Sequence, residues 1–353
     1  MPKLFVLNLG STSSKIALFQ DEDMVASQTF RHSSEELNHF PNILSQTSFR
    51  KNIIDTWLKS NKIDLASMDL IVVRGAVTKP IPGGVYRVDE VVYDDISHER
   101  NGSHISNVGV CIGYEWGKES GKEVVFVNAP TTDELSDIAR ISGLKGHQRR
   151  CGFHALNTKQ IALEYAKSIN KPITDLNLLI AHLGGGISVG IHSYGWVIDT
   201  SNALDGEGPF SPERVGGLTA RMVIQIIKDN KYDYEKIAKI LVGQGGLVSH
   251  LGTSDVKAIY ERSLTDPHTK LILDAMIYQI AKEIGAYATV VCGKVDRILI
   301  TGGVAYNEYI CDELKKRVDW IAPVSLYPGE DELVALASGG LRYLNGEEAL
   351  KPY

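Results

Sequence analysis

The sequence predicts an α/β protein built from a duplicated unit, and three observations point there. At Leu4–Phe19 a strand-like apolar run enters a turn of glycine and hydroxyl residues and leaves as a second apolar run. The same plan returns at Leu178–His192, with His182 in the place of Asn8 and the turn Gly184-Gly185-Gly186 in the place of Gly10-Ser11-Thr12-Ser13. Around both hairpins, short apolar runs alternate with stretches of helical spacing, as in α/β folds. Two equivalent glycine turns in two halves of one chain suggest duplication.

The elements follow in order. Met24–Phe30 reads as a third strand, and Ser33 or Ser34 with Glu36 behind it reads as a helix cap. Ile43–Lys59 has helical spacing. Leu70–Val73 is a short buried strand ending at Arg74, a charge where ligands bind in open α/β sheets. Pro80–Gly84 is a turn cluster, Tyr86–Asp89 a short strand, Glu90–His98 and Ile105–Gly117 helices, and Val124–Val127 a strand ending at Asn128. A basic stretch from Gly146 to His154 leads into a helix at Ala155–Ile169. Trp196–Asp199 follows the second hairpin as a strand. Asn202–Arg214 is a Gly/Pro-rich loop long enough to suggest a function. Helices are expected at Thr219–Lys228, Tyr234–Val242 and Thr269–Cys292, and another up to Ser263 under a Ser254 or Asp255 cap, with Gly245-Gly246 as a chain break. Arg297–Thr301 is a strand leading through Gly302-Gly303 to a helix running to Lys316, whose first amides would face an anion. Ala322–Tyr327 is the last expected strand and Leu333–Leu344 the last helix.

Composition narrows the function. The chain has 353 residues, 43% hydrophobic and 23% charged, which suits a soluble globular protein of two domains. A net charge of -6 argues against a nucleic-acid partner. Four scattered cysteines form neither a disulfide framework nor a zinc site. No signal peptide and no membrane span are read, so the expected location is the cytoplasm. There is no G-x-x-x-x-G-K-[ST], G-x-G-x-x-G, H-E-x-x-H or G-x-S-x-G, which removes the P-loop, dinucleotide, zincin and α/β-hydrolase readings.

The first turn has the groups a phosphate needs. Gly10 permits close approach, Ser11, Thr12 and Ser13 offer hydroxyls and amides, and Lys15 adds charge. An ordinary hairpin with a polar turn has the same pattern. Three adjacent glycines at 184–186 cost chain entropy, so a close ligand or backbone contact is the better reason for them.

Three glycine turns in the order hairpin, hairpin, strand–GG–helix resemble the signature of the acetate and sugar kinase/Hsp70/actin superfamily, and within it the acetokinase family. Asn8-Leu9-Gly10-Ser11-Thr12-Ser13-Ser14-Lys15 is similar to that family's N-x-G-S-x-S-x-K start. His182-Leu183-Gly184-Gly185-Gly186-Ile187-Ser188 and the loop Asp205–Arg214 look most like the butyrate kinase branch, as do Pro82–Tyr86 and Phe153–Asn157. The resemblance covers nearly the whole chain. It implies two duplicated ribonuclease H-like (actin-like ATPase) domains, each with a mixed five-stranded sheet, closing over a central cleft. The first would span 1–150, completed by 330–353, and the second 151–329.

The activity implied is phosphoryl transfer between ATP and butyrate or a similar short-chain fatty acid, giving ADP and an acyl phosphate, with Mg2+ as cofactor. A homo-oligomer, dimer or larger, is implied as well. Carried over residue by residue, Asn8, Ser11, Ser13 and Lys15 would line the phosphate or metal region. Arg74 would meet the substrate carboxylate, and His154 would steady the transferring phosphoryl group. Arg214 is the second arginine, with Arg221 as its runner-up. Gly10, His182 and Gly184, Gly185 and Gly186 would hold phosphate, Gly302 and Gly303 would border adenosine, and Asp331 or Glu332 would join Asn8 at the metal.

One catalytic position departs from the family. Where butyrate kinases usually read V-D-P, this chain reads Val127-Asn128-Ala129-Pro130. An amide is no base and a weaker partner for Mg2+. The acceptor carboxylate is already ionised near neutral pH, so reduced or altered activity is expected rather than none. Ala76, in place of a usual glycine, is expected to affect the acyl pocket. Two alternatives follow: a branched-chain fatty acid kinase, and a nucleotide-binding protein of this fold with weakened catalysis.

Overall fold

The computed structural model describes residues Met1–Tyr353, which divide into two compact units, Met1–Thr132 with Asp331–Tyr353, and Asp133–Glu330. The first unit opens with an antiparallel meander, β1 (Lys3–Gly10), β2 (Ser13–Gln20) and β3 (Asp23–Arg31). A one-turn helix, α1 (Ser34–Leu37), follows under the capping box of Ser33 and Glu36. Next come α2 (Thr47–Ser60), β4 (Leu70–Arg74), β5 (Val85–Arg87), α3 (Glu90–Ser97), α4 (Ile105–Ser120) and β6 (Val124–Val127). β4 lies parallel to β1, and β6 parallel to β4. The residues of β1 alternate between two buried faces. Phe5, Leu7 and Leu9 join a core cluster with Ile54 of α2 and Val108 and Ile112 of α4.

The second unit begins with a segment that the sequence expectation gave to the first. Residues 133–150 are tied to it by hydrogen bonds: Ser136 N donates to Ile198 O, and Arg149 binds Asp199 Oδ1 and Thr200 O. The boundary therefore falls between Thr132 and Asp133 rather than near residue 150. After α5 (Asp137–Arg140) and α6 (Ala155–Ser168) comes a second antiparallel meander, β7 (Asn177–Leu183), β8 (Ile187–Ser193) and β9 (Trp196–Thr200). Helices α7 (Ala220–Asp229), α8 (Tyr234–Leu241), α9 (Gly246–Leu251), α10 (Val256–Ser263) and α11 (Pro267–Ala288) follow. Asp266 caps α11 and Pro267 opens it, the position where a missing N–H costs nothing. Then β10 (Arg297–Gly302), α12 (Glu308–Val318) and β11 (Val324–Pro328) complete a five-stranded sheet of order β11-β10-β7-β8-β9. Its main core lies between the sheet and the helices from α9 to α12.

The chain then returns to the first unit through α13 (Glu332–Leu344) and the two-residue strand β12 (Leu350–Lys351). Gly339 and Gly340 let α13 lie close on the sheet; a Cβ there would come within 2.6 Å of Val127 and Val72. The first sheet has seven strands, not the expected five, in the order β12-β5-β6-β4-β1-β2-β3. Its five strands from β6 to β3 repeat the order of the second sheet, and β5 and β12 are added beyond β6. β12 escaped the sequence reading because two residues carry no periodicity. The repeated meander and crossover order is that of duplicated actin-like ATPase domains. No helix is long and apolar enough to cross a membrane.

Candidate active site

In the first unit the chemistry gathers at the C-terminal end of β1. Asn8 and Lys15 are cross-strand partners, as are Gly10 and Ser13, so the side chains of Asn8, Ser13 and Lys15 lie on one face. This is the face that α13 covers at Leu4, and the start of α13 brings Glu332 to Asn8. Asn8 Nδ2 donates to Glu332 Oε2 at 2.6 Å. The same carboxylate takes both arms of the Arg74 fork, at 3.2 and 3.4 Å. Asn8 Oδ1 is buried and has no hydrogen-bond partner. A native interior seldom leaves such an acceptor unmet, and one beside a carboxylate suits a cation or its water.

His104, the residue just before α4, belongs with this cluster. It caps α4 through Nδ1, which accepts from Ser106 N at 3.2 Å. Burial, then the charge of Arg74, lowers its pKa, so its neutral form presents Nε2–H. The only sequence signal was a histidine at the mouth of an apolar helix.

Asn128 follows β6 directly and lies in the left-handed region, φ +44°, which asparagine tolerates better than most residues. Its N–H donates to Gly84 O at 3.0 Å and its Oδ1 accepts from Gly84 N at 2.8 Å. Lys351 of β12 lays its stem against Gly84 and donates to Gly83 O, bracing that turn from the far side. Ala76 is fully buried in the core cluster of the first unit, which gives no support to the expected role in an acyl pocket.

In the second unit the long loop is folded onto the glycine hairpin. Ser211 Oγ donates to Gly185 O at 2.6 Å and Glu213 N to the same carbonyl at 3.1 Å. The Arg214 guanidinium rests on Gly186, where a Cβ would lie 2.1 Å from Nη1, and Nη1 also donates to Ala203 O at the bottom of the loop. Burial lowers the Arg214 pKa without removing its charge at neutral pH. His154 and His182 stack with centroids 3.8 Å apart. His154 Nδ1 meets Ser188 Oγ at 2.9 Å and His182 Nδ1 meets Asn157 Oδ1 at 2.8 Å, so both rings are fixed in orientation. Burial, with Arg214 adding, pushes the His182 pKa down to about 3. The 3.5 Å approach of Glu330 Oε2 to His182 Nε2 is therefore a carboxylate beside a neutral ring, not an ion pair.

Four predicted residues sit elsewhere or act differently. Gly302, φ +91°, packs against Leu183; a Cβ would lie 2.3 Å from its carbonyl oxygen, so backbone crowding explains it. Gly303 has open space instead. It enters a 3-10 turn, and the regular helix starts only at Glu308 under an Asn307 cap, later than expected. Asp331 caps α13 by accepting from Val334 N, which leaves Glu332 as the carboxylate beside Asn8. Arg221 is exposed on α7, whereas Arg214 lies on Gly186.

The acetokinase family's pattern matches residues 131–319. Across the whole of both chains, the sequence is 46% identical to butyrate kinase 1 of Clostridium acetobutylicum. It is 44% identical to butyrate kinase 2 of that organism over 99% of each. The chain belongs to the acetokinase family. The fold of this family member is similar to the acetate kinase of Porphyromonas gingivalis, with a TM-score of 0.80 at 18% identity over 98% of this chain and 100% of that one. It is similar also to the acetate kinase of Entamoeba histolytica, with a TM-score of 0.75 at 20% identity over 96% and 98%.

Proposed function

We propose that the protein is a butyrate kinase-type carboxylate kinase, converting ATP and butyrate to ADP and butyryl phosphate by direct transfer. The observation that carries the site assignment is the Asn8–Glu332–Arg74 cluster with its unmet Asn8 Oδ1. An oxygen of the ionised carboxylate forms the new P–O bond as the bond from the γ-phosphorus to the β–γ bridging oxygen breaks. The electron pair leaves with ADP, and no proton need be removed, so Asn128 is not required to act as a base. The residues need only orient both reactants and meet spread negative charge.

Arg74 is the carboxylate anchor, its fork suited to a two-oxygen acceptor. Asn8 and Glu332 would hold Mg2+, directly or through water, and the ion would neutralise charge on the β- and γ-phosphates. Ser11, Ser13 and Lys15, with Gly10, hold phosphate in the first unit. Gly184–Gly186, His182 and Arg214 do so in the second. His154, its ring oriented by Ser188 through Nδ1, would steady the moving phosphoryl group. Gly303 rather than Gly302 offers the free space for adenosine.

An acyl hydroxamate assay with ATP, Mg2+ and straight and branched acids of about two to six carbons tests the reading. Butyrate is expected to give the strongest signal. Signal confined to isobutyrate or isovalerate would replace it with the branched-chain reading. Nucleotide binding with no product from any acid would leave only a weakened relative, which the amide at Asn128 would then explain.

A further inference from the structure

Arg50 is fully buried in α2, yet no carboxylate pairs with it. Its guanidinium donates instead to the first glycine turn: Nη1 to Gly10 O at 3.0 Å and Ser13 O at 2.9 Å, Nη2 to Ser11 O at 2.8 Å. Nη1 also reaches Ser14 Oγ at 3.2 Å, and Nε bonds Gln46 Oε1 at 3.0 Å, a residue of the turn just before α2. Ser14 Oγ in turn meets His32 Nε2 at 2.9 Å. A buried charge normally needs an opposite charge nearby. Here three backbone carbonyls and two side-chain oxygens solvate it. Burial pushes its pKa down to about 10, so it remains a cation at neutral pH.

We propose that Arg50 is a positioning residue for nucleotide phosphate: it pins the first glycine turn from beneath and lends the turn an unneutralised positive charge. The proposal rests on the reading that this turn binds phosphate. The geometry follows from the planar trans peptide, whose C=O and N–H point in opposite directions. With the Gly10 and Ser11 carbonyls drawn inward to Arg50, the N–H groups of Ser11 and Thr12 are turned to the opposite side. Both residues are exposed there, as is Lys15. Arg50 thus fixes which face of the turn offers amides. Its charge acts through one layer of backbone on whatever anion those amides meet. A fork is needed because a single ammonium cannot reach carbonyls on both sides of the turn at once.

Calorimetric titration of ATP and of adenosine into wild type, Arg50→Gln, Arg50→Lys and Lys15→Ala tests this. In Arg50→Gln, ATP affinity is expected to fall about tenfold or more while adenosine affinity stays unchanged. Arg50→Lys should recover part of the ATP affinity, since it keeps the charge but loses the fork. Amide exchange at Ser11 and Thr12 should speed up in both Arg50 variants. An equal fall in ATP and adenosine affinity in a folded Arg50→Gln would overturn the proposal. ATP affinity preserved in Arg50→Gln but lost in Lys15→Ala would overturn it while sparing the phosphate reading. ATP affinity preserved in both would overturn both. If Arg50→Gln does not fold, Arg50→Lys decides: unchanged ATP affinity with unchanged exchange sinks the idea.

Discussion

Glu332 holds two candidate site residues at once, and that sharing has a chemical consequence. Its carboxylate sits in the Arg74 fork, where a substrate carboxylate would sit, and also accepts from Asn8. A cation taken up by Glu332 and the free Asn8 Oδ1 would weaken Glu332's hold on Arg74 and leave the fork to the acid. Arg74→Ala should therefore cut turnover at least about 100-fold, since it removes a charge aimed at the reacting centre. Glu332→Gln should raise the Mg2+ concentration needed for half-maximal rate while leaving nucleotide affinity in the absence of metal much as it was. Steady-state kinetics over a Mg2+ series reads both. A near-normal rate in Arg74→Ala would remove Arg74 from the site. At this scale the motifs named Asn8, Arg74 and Glu332, three side chains that the fold joins in one hydrogen-bonded cluster. They were silent on Arg50 and His104, whose partners Gly10, Ser11 and Arg74 lie 30 to 40 residues away in the chain. Nothing local marks a buried arginine or a capping histidine as part of a site.

At the scale of elements, the glycine turns were legible because strand–turn–strand patterns are local. The reason for each glycine was not. Gly186 is free of side chain because Arg214 lies on it, whereas Gly302 is so because of the Leu183 backbone. The two should respond differently to one methyl group. In Gly186→Ala the clash is with the far end of a flexible side chain, which can swing aside. Melting temperature should hold to within a few degrees while kcat falls, as Arg214 leaves its place. In Gly302→Ala the clash is with backbone, at φ +91°, so the cost is strain and a displaced strand end. That variant should lose roughly 2 kcal/mol or more of stability. Thermal denaturation set beside kcat separates the two cases; equal loss of stability in both would mean that Arg214 is held as rigidly as backbone. The long loop from Asn202 to Arg214 showed its importance in sequence by length and composition. Its hydrogen bonds to Gly185 could not be read there, because they depend on how the loop folds back.

At the scale of the whole chain, the repeated strand order was within reach of the sequence, but the way the ends are used was only partly so. The first unit is completed by residues 331–353, and its extra edge strand braces the turn that holds Asn128. The second unit carries a different debt, two neutral imidazoles shut in its interior. His192 on β8 is buried, packs edge-on against Phe153, and has its pKa pushed down to about 3 by burial and then by the nearby Lys159 cation. Glu134 neutralises Lys159 at 2.7 Å, so burial is what keeps the ring uncharged. Since the folded value lies below the ordinary 6.5, the unfolded chain binds the proton first as pH falls. Stability from His192 is thus complete above pH 6.5 and is lost progressively down to about pH 3. Between pH 7 and pH 5 this one residue should cost about 2 kcal/mol. His182 should add a similar amount, from its own value near 3. Urea denaturation of wild type and His192→Leu at the two pH values isolates the effect from the carboxylates, which both proteins share. The variant should lose less stability on acidification by that amount. An identical acid loss in the two proteins would mean that the His192 ring takes up its proton without the fold opening.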